Sequence, residues 1–174
     1  NISINKNISY QIYSELYKSL NLNDHSLFND HSDLDPEVDL MISIGDAGDA
    51  NDTGNGHGLI GNGQDPSNIW GSIIRIDLKG VNSANGKYGI PLDNPFINDS
   101  NKLDEIYAYG FRNPWTFSLD PASGIIYSAD SGQDLVQEVN IVEKGKNYGW
   151  RTKEGSFLFD PQTGLIGSIN NFTN

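Results

Sequence analysis

The stretch "GFRNPW", residues 110 to 115, sets a guanidinium, Arg112, beside a carboxamide, Asn113, directly ahead of an apolar run. In a chain of formal net charge −12, an anionic ligand needs local positive charge of this kind. A second candidate, Asp46, follows the apolar run "LMISIG"; a carboxylate at a strand end either faces a central pocket or caps its own turn. In "SADSGQDLVQEVNIVEKGKNYGW", residues 128 to 150, the turn Gly132-Gln133-Asp134 offers backbone carbonyls near Glu138 and Tyr148. These are hard oxygen ligands of the type calcium takes, although Glu138 reads equally as a solvated strand residue. The three histidines, His25, His31 and His57, all stand in polar, loop-like sequence, where a solvated side chain is the default. A catalytic base also needs a partner to hold it.

The loop from Gly45 to Asn68 contains two motif fragments. "DANDTG" opens like a calcium loop, but the twelfth position is Ile60 rather than a glutamate, which argues against an EF-hand. "GHGLIG" matches G-x-G-x-x-G without a helical pattern after it, so a dinucleotide site is disfavoured. The loop therefore reads as flexible, with turn-forming Asp and Gly. No G-x-S-x-G, H-E-x-x-H or phosphate-loop pattern is present.

The elements that position these residues repeat. "FSLDPASGIIYS" from Phe117 and "FLFDPQTGLIGS" from Phe157 match in register about forty residues apart, and Asp77 and Asp35 continue the spacing backwards. Each Asp follows an apolar strand, and Asp120-Pro121 with Gly124 has the makings of a hairpin turn. Short runs such as "LMISI", "SIIRIDL", "WTFSL", "IIYSA" and "EVNIV" are rich in β-formers. A hairpin recurring at this period predicts an all-β fold of β-propeller blades, with a β-sandwich of similar turns as the alternative. Four copies lie near the lower limit of blade number, so the chain is expected to be a partial propeller of about three to four blades. Residues 1–34 read as an N-terminal blade remnant, in which the spacing of Tyr13, Leu16, Tyr17 and Leu20 fits a short helix at 11 to 20 or, equally, a tyrosine-rich strand. Residues 35–174 hold the blades. Trp115 and Trp150 read as core or inter-blade packing.

The 174 residues are 36% apolar, with 23 acidic against 11 basic side chains. That balance argues against nucleic acid or an anionic membrane as the main partner. Without cysteine there is neither a disulfide framework nor a thiolate site, and no apolar run is long enough for a membrane span. No signal-peptide pattern is visible in this stretch, which is expected to begin within a longer chain.

Taken in order, "ISIGDAGD", "GNGQDPSNIWGSIIRID", "DNPF", "EIYAYGFRNPWTFSLDP" and "SGQDLVQEVNIVEKGKNYGWRTKEG" resemble the glucose/sorbosone dehydrogenase family from about Asp35 to Gly155. That family comprises six-bladed propellers typified by sugar dehydrogenases using pyrroloquinoline quinone (PQQ), with Hedgehog-interacting proteins as non-enzymatic relatives. The resemblance implies PQQ and calcium as cofactors, an aldose as substrate and a periplasmic or extracellular location; the electron acceptor and oligomeric state stay open. It implies that Arg112 and Asn113 contact quinone and sugar, that Asp46 orients the catalytic base, and that the carbonyls of Gly132 and Gln133 hold the cofactor's calcium. A structural calcium would use Glu138 and Tyr148. The family's histidine spacing reaches Leu27 here; His25 fills the role given a two-residue insertion, while His31 lies too close to Asp46. The alternative within the same family is a catalytically silent propeller that binds a protein or glycan.

Overall fold

The computed structural model describes residues 39–169. The helix or strand expected at 11 to 20, the boundary near residue 34, and the candidates His25 and His31 lie outside these residues. Among the described residues, nine strands form three antiparallel sheets of three. The first holds β1 (Asp39–Ile44), β2 (Ser72–Asp77) and β3 (Ile106–Tyr109). The second holds β4 (Pro114–Leu119), β5 (Ile126–Ser131) and β6 (Gln137–Val142). The third holds β7 (Lys153–Glu154), β8 (Phe157–Asp160) and β9 (Leu165–Ile169). No α-helix occurs among the described residues.

The Asp-centred repeats are hairpin turns in two of the three described copies. Asp120 accepts from the amides of Ala122 and Gly124, joining β4 to β5, and Asp160 does the same with Gln162 and Gly164 between β8 and β9. The Asp77 copy departs from the pattern. Its chain makes a long excursion before β3, and Asn94 fastens it by donating its amide to the carbonyls of Arg75 and Asp104.

Alternation sorts the apolar residues of the first sheet onto two faces. Ile73, Ala108 and Phe111 pack with Ile126 and Val142 of the second sheet, while Ile74, Ile106 and Phe96 form a separate cluster behind them. Phe111 is fully buried and stacks on Tyr148, with ring centroids 4.5 Å apart. Among the described residues, the second sheet is covered on one face only. Tyr127 opposes Ile141 and Ala129 opposes Val139 on its other face, where Tyr127, Ile141 and Val139 are exposed. Trp115, expected in the core or between blades, is 79% exposed, because a bulge between Pro114 and Thr116 sets it outside the ladder and no described residue covers it.

After β6 the chain returns to the first sheet. The run from Gly145 to Trp150 lies along β3 as an added edge, with bonds from Gly145 N to Tyr107 O, Tyr109 N to Lys146 O, Tyr148 N to Tyr109 O and Trp150 N to Gly110 O. This parallel edge carries "NYGW" to the end of the sheet where β1 stops.

Truncating the stacked, fully buried Phe111 to Ala is expected to destabilise the protein by about 3–5 kcal/mol, measured by urea unfolding; a loss near zero would mean that the two sheets do not share this core.

Candidate functional site

At one end of the first two sheets, four chain segments are tied together by their backbones. Gly71 N donates to Gly45 O and Phe111 N to Gly71 O, extending the first sheet past its last side-chain pairs. Gly71 has φ +64°, and a Cβ there would sit 2.6 Å from the Phe111 carbonyl oxygen, so glycine is required by both conformation and space. Asp46 N donates to Arg112 O at 2.9 Å, and Ser131 N to Asn113 O at 3.0 Å.

Asp130 completes the junction. Its two carboxylate oxygens accept from the amides of Arg112, at 3.0 Å, and Asn113, at 2.6 Å. All four main-chain polar groups of the Arg112-Asn113 dipeptide are thereby satisfied. Burial pushes the Asp130 carboxyl up to about 6, opposed by the two amide donors and reinforced by the nearby Glu138 charge.

Asp46 is also buried. Its Oδ2 accepts from Trp150 Nε1 at 2.7 Å and its Oδ1 from Gly48 N at 3.3 Å. Burial raises its pKa above the ordinary 3.8, and the indole donor partly offsets that. Asp46, Arg112, Asn113 and Trp70 line one pocket of about 290 Å³, just below the usual range for small-molecule sites.

The guanidinium of Arg112 is held by neutral groups. Nε donates to Gln133 Oε1 and Nη1 to Ser131 O, both at 3.1 Å, and the charged carbon lies 5.8 Å from the Trp150 ring centroid. The Asn113 carboxamide makes no hydrogen bond among the described residues. The pocket thus combines an arginine without an ion-pair partner, an uncommitted amide and a buried carboxylate, a donor set suited to an anionic and hydroxylated ligand.

The loop after Asp46 is ordered by buried charge, which corrects its reading as flexible. Asp52 is fully buried and accepts from His57 Nδ1 at 2.6 Å and from the amides of Asn62 and Gly63 at 2.7 and 3.0 Å. Arg151 donates to the carbonyls of Asp52 and Leu59. His57 is therefore not the solvated histidine expected: its side chain is 3% exposed and locked onto Asp52. Ala47, Asp49, Asn51 and Asp52 all hold positive φ, between 50° and 81°, a strained run that persists because its ends are so firmly tied.

Of the expected site residues, the structure brings Asp46, Arg112 and Asn113 into one pocket, and the Gln133 side chain is bonded to Arg112. Gly132 occupies a tight turn, where a side chain would strike the Val136 carbonyl. Glu138 and Tyr148 line a different, larger groove of about 770 Å³ between β6 and the 147–157 segment. There Glu138 Oε1 accepts from Gly155 N, and the Tyr148 hydroxyl accepts from Glu143 N while donating to Ile141 O. Both side chains are engaged in protein hydrogen bonds. Among the described residues no three acidic or histidine side chains cluster as a metal site.

Asp130, Trp70 and the Trp150–Asp46 bond were not anticipated from the sequence. A signal for Asp130 exists: alternation along "IIYSADS" places it on the same face as the buried Ile126 and Ser128.

The small antiparallel sheets, with a pocket at their ends, are part of a β-propeller. The Glucose / Sorbosone dehydrogenase model matches residues 10–162, and the chain belongs to that family. It is 38% identical to the HIPL1 protein of Arabidopsis thaliana over 144 residues, 78% of this chain and 20% of that protein. With quinoprotein glucose dehydrogenase B of Acinetobacter calcoaceticus it shares 33% identity over 94 residues, 54% of this chain and 17% of that protein. The crystal structure of the soluble aldose sugar dehydrogenase from Escherichia coli in the apo-form superposes with a TM-score of 0.52 and 32% identity, covering 67% of this chain and 28% of that one. The chain thus spans a fifth or less of the length of these two curated relatives.

Replacing Trp150 with Phe removes the indole donor from Asp46. Because the Asp46 pKa is already raised, the native state keeps a proton that the unfolded chain has lost, and stability falls as pH rises through the folded pKa. The variant is expected to raise that pKa further and to lose about 1.5–3 kcal/mol more at about pH 8 than at about pH 4. Urea unfolding at the two pH values checks this; equal losses would show that only packing was removed.

Proposed function

We propose that this chain supplies part of the active site of a PQQ- and calcium-dependent aldose dehydrogenase. The observation that carries the reading is Arg112, a residue that lines a pocket with Asp46 and Asn113 and whose guanidinium is directly bonded only to neutral groups. PQQ is a tricarboxylate, and an acidic chain can hold it only where positive charge is concentrated. The family membership and the likeness to a quinoprotein glucose dehydrogenase support this choice of ligand.

In this reading Arg112 binds a carboxylate of the cofactor, and the Asn113 carboxamide hydrogen-bonds the quinone or a sugar hydroxyl. The bound quinone supplies the hydride acceptor. Asp46, fixed by Trp150 and Gly48, has the role of orienting the base that takes the proton from the sugar's anomeric hydroxyl; His25, the candidate base from the sequence, lies outside the described residues. The carbonyls of Gly132 and Gln133 accept no backbone hydrogen bond among the described residues, which fits them as oxygen ligands for the cofactor's calcium. Glu138 and Tyr148 are the candidates for a second, structural calcium: they line one groove, and the Glu138 Oε2 oxygen has only a 3.5 Å contact from Asn140 Nδ2. A periplasmic or extracellular location accords with this chemistry, and no helix among the described residues is long and apolar enough to cross a membrane.

A second reading, a catalytically silent propeller that binds a glycan or protein, is favoured by one observation. His57, the histidine within the described residues, is bonded to Asp52 and does not line the pocket.

Dye reduction by glucose is expected from the full-length protein only when PQQ and Ca²⁺ are both added. An inactive protein that still binds sugar would favour the silent reading. Replacing Arg112 with Ala is expected to lower PQQ affinity by about a hundredfold, the scale of a lost charge-assisted contact, with folding intact by circular dichroism. Unchanged affinity would remove Arg112 from the site.

A further inference from the structure

Arg112 differs from the chain's other structurally tethered arginines. Arg75 is paired with Asp39 and Asp93, both at 2.6 Å, so its charge is neutralised in place. Arg151 donates to main-chain carbonyls at the base of a loop. Arg112 lines a pocket, and a side chain chosen from elsewhere in the chain sets its direction. That side chain is Gln133, whose Oε1 accepts from Arg112 Nε at 3.1 Å and from Asn51 N at 3.3 Å. One oxygen therefore joins three segments: the loop after β1, the β3–β4 link and the β5–β6 turn.

We infer that Gln133 is a positioning residue for anion binding, holding the Arg112 guanidinium aimed into the pocket while leaving its charge available. An acceptor at this place is needed for geometry, since an arginine side chain has several rotatable bonds and loses entropy when fixed. A carboxylate would hold it more tightly but would cancel the charge that draws the ligand. A carboxamide gives direction without neutralisation. The two acids nearest the guanidinium obey the same logic, because Asp130 is bonded to main-chain amides and Asp46 to an indole and an amide. Neither is within ion-pair distance of Arg112.

This inference rests on the proposed quinone site, and the experiment separates the two. PQQ binding to the full-length protein is titrated by absorbance at several salt concentrations, for wild type, Gln133→Ala and Gln133→Glu. The glutamate keeps both acceptor contacts and adds a charge, so it is expected to weaken PQQ binding by about tenfold or more and to flatten the salt dependence. The alanine loses direction but not charge, and is expected to weaken binding by about two- to fivefold with the salt slope unchanged. Equal weakening by both variants, or an unchanged slope in Gln133→Glu, would overturn the inference. Citrate, a tricarboxylate without a quinone, provides the second arm. Citrate binding that depends on Gln133 in a protein indifferent to PQQ would reject the quinone and keep the positioning role. Wild-type protein that binds neither rejects both.

Discussion

The dipeptide Arg112-Asn113 has no main-chain freedom, and the site depends on that. Its two amides are taken by the one carboxylate of Asp130, and its two carbonyls by the amides of Asp46 and Ser131. The backbone is fixed from both sides by strand ends belonging to two different sheets. Side-chain geometry at the pocket then follows from sheet packing, since neither residue can shift without breaking the junction between β1, β4 and β5. The arrangement has an energetic cost: Asp130 is a buried carboxylate whose pKa is pushed up to about 6, so near neutral pH the fold carries a charge that burial disfavours.

The same device recurs throughout the described residues. Asp46, Asp52, Asp130 and Glu154 are all almost inaccessible to solvent in a chain already rich in negative charge. The Arg112 charge acts on Asp46 and Asp130 from a distance, but neither carboxylate forms a direct ion pair with it. Asp52 takes His57 and two amides, Asp46 an indole and an amide, Asp130 two amides, and Glu154 the amide of Asp134. Buried carboxylates satisfied by amides act as internal staples for loops that have no regular structure of their own. They also leave cations free for other tasks, which matters where only 11 basic side chains exist.

How far this was legible in sequence depended on the range of the interaction. The strands were readable because apolar alternation and the Asp-Pro or Asp-turn signals are local, and the hairpins at Asp120 and Asp160 formed where the repeat placed them. The Asp77 copy lacks a second apolar strand after its turn in the sequence as well, and the long excursion there is held by Asn94 bonding carbonyls ten and nineteen residues away, which no local pattern encodes. His57 was misread for a related reason. A glycine-rich loop has the composition of a flexible segment, and only the burial of Asp52 beneath it gives the histidine a partner. Arg112, Asn113 and Asp46 were recoverable through ordered motifs, whereas Trp150 as a ligand of Asp46 required knowing that "NYGW" adds itself to the edge of β3.

That added edge explains why the pocket forms where it does. β1 ends, β2 begins and β3 ends at the same extremity of the first sheet, so Asp46, Trp70 and Arg112 converge there by antiparallel geometry alone. A three-stranded sheet would leave that extremity open on the side of β3. The returning segment closes it, placing Trp150 beneath Asp46 and beside Arg112 in one stroke. Its indole donates to the carboxylate and its ring faces the guanidinium, so a single residue restrains both charged groups without neutralising either. The pocket at this end of the sheets is therefore tied to blade construction: the residue that seals the blade edge is the one that keeps an aspartate and an arginine close but unpaired.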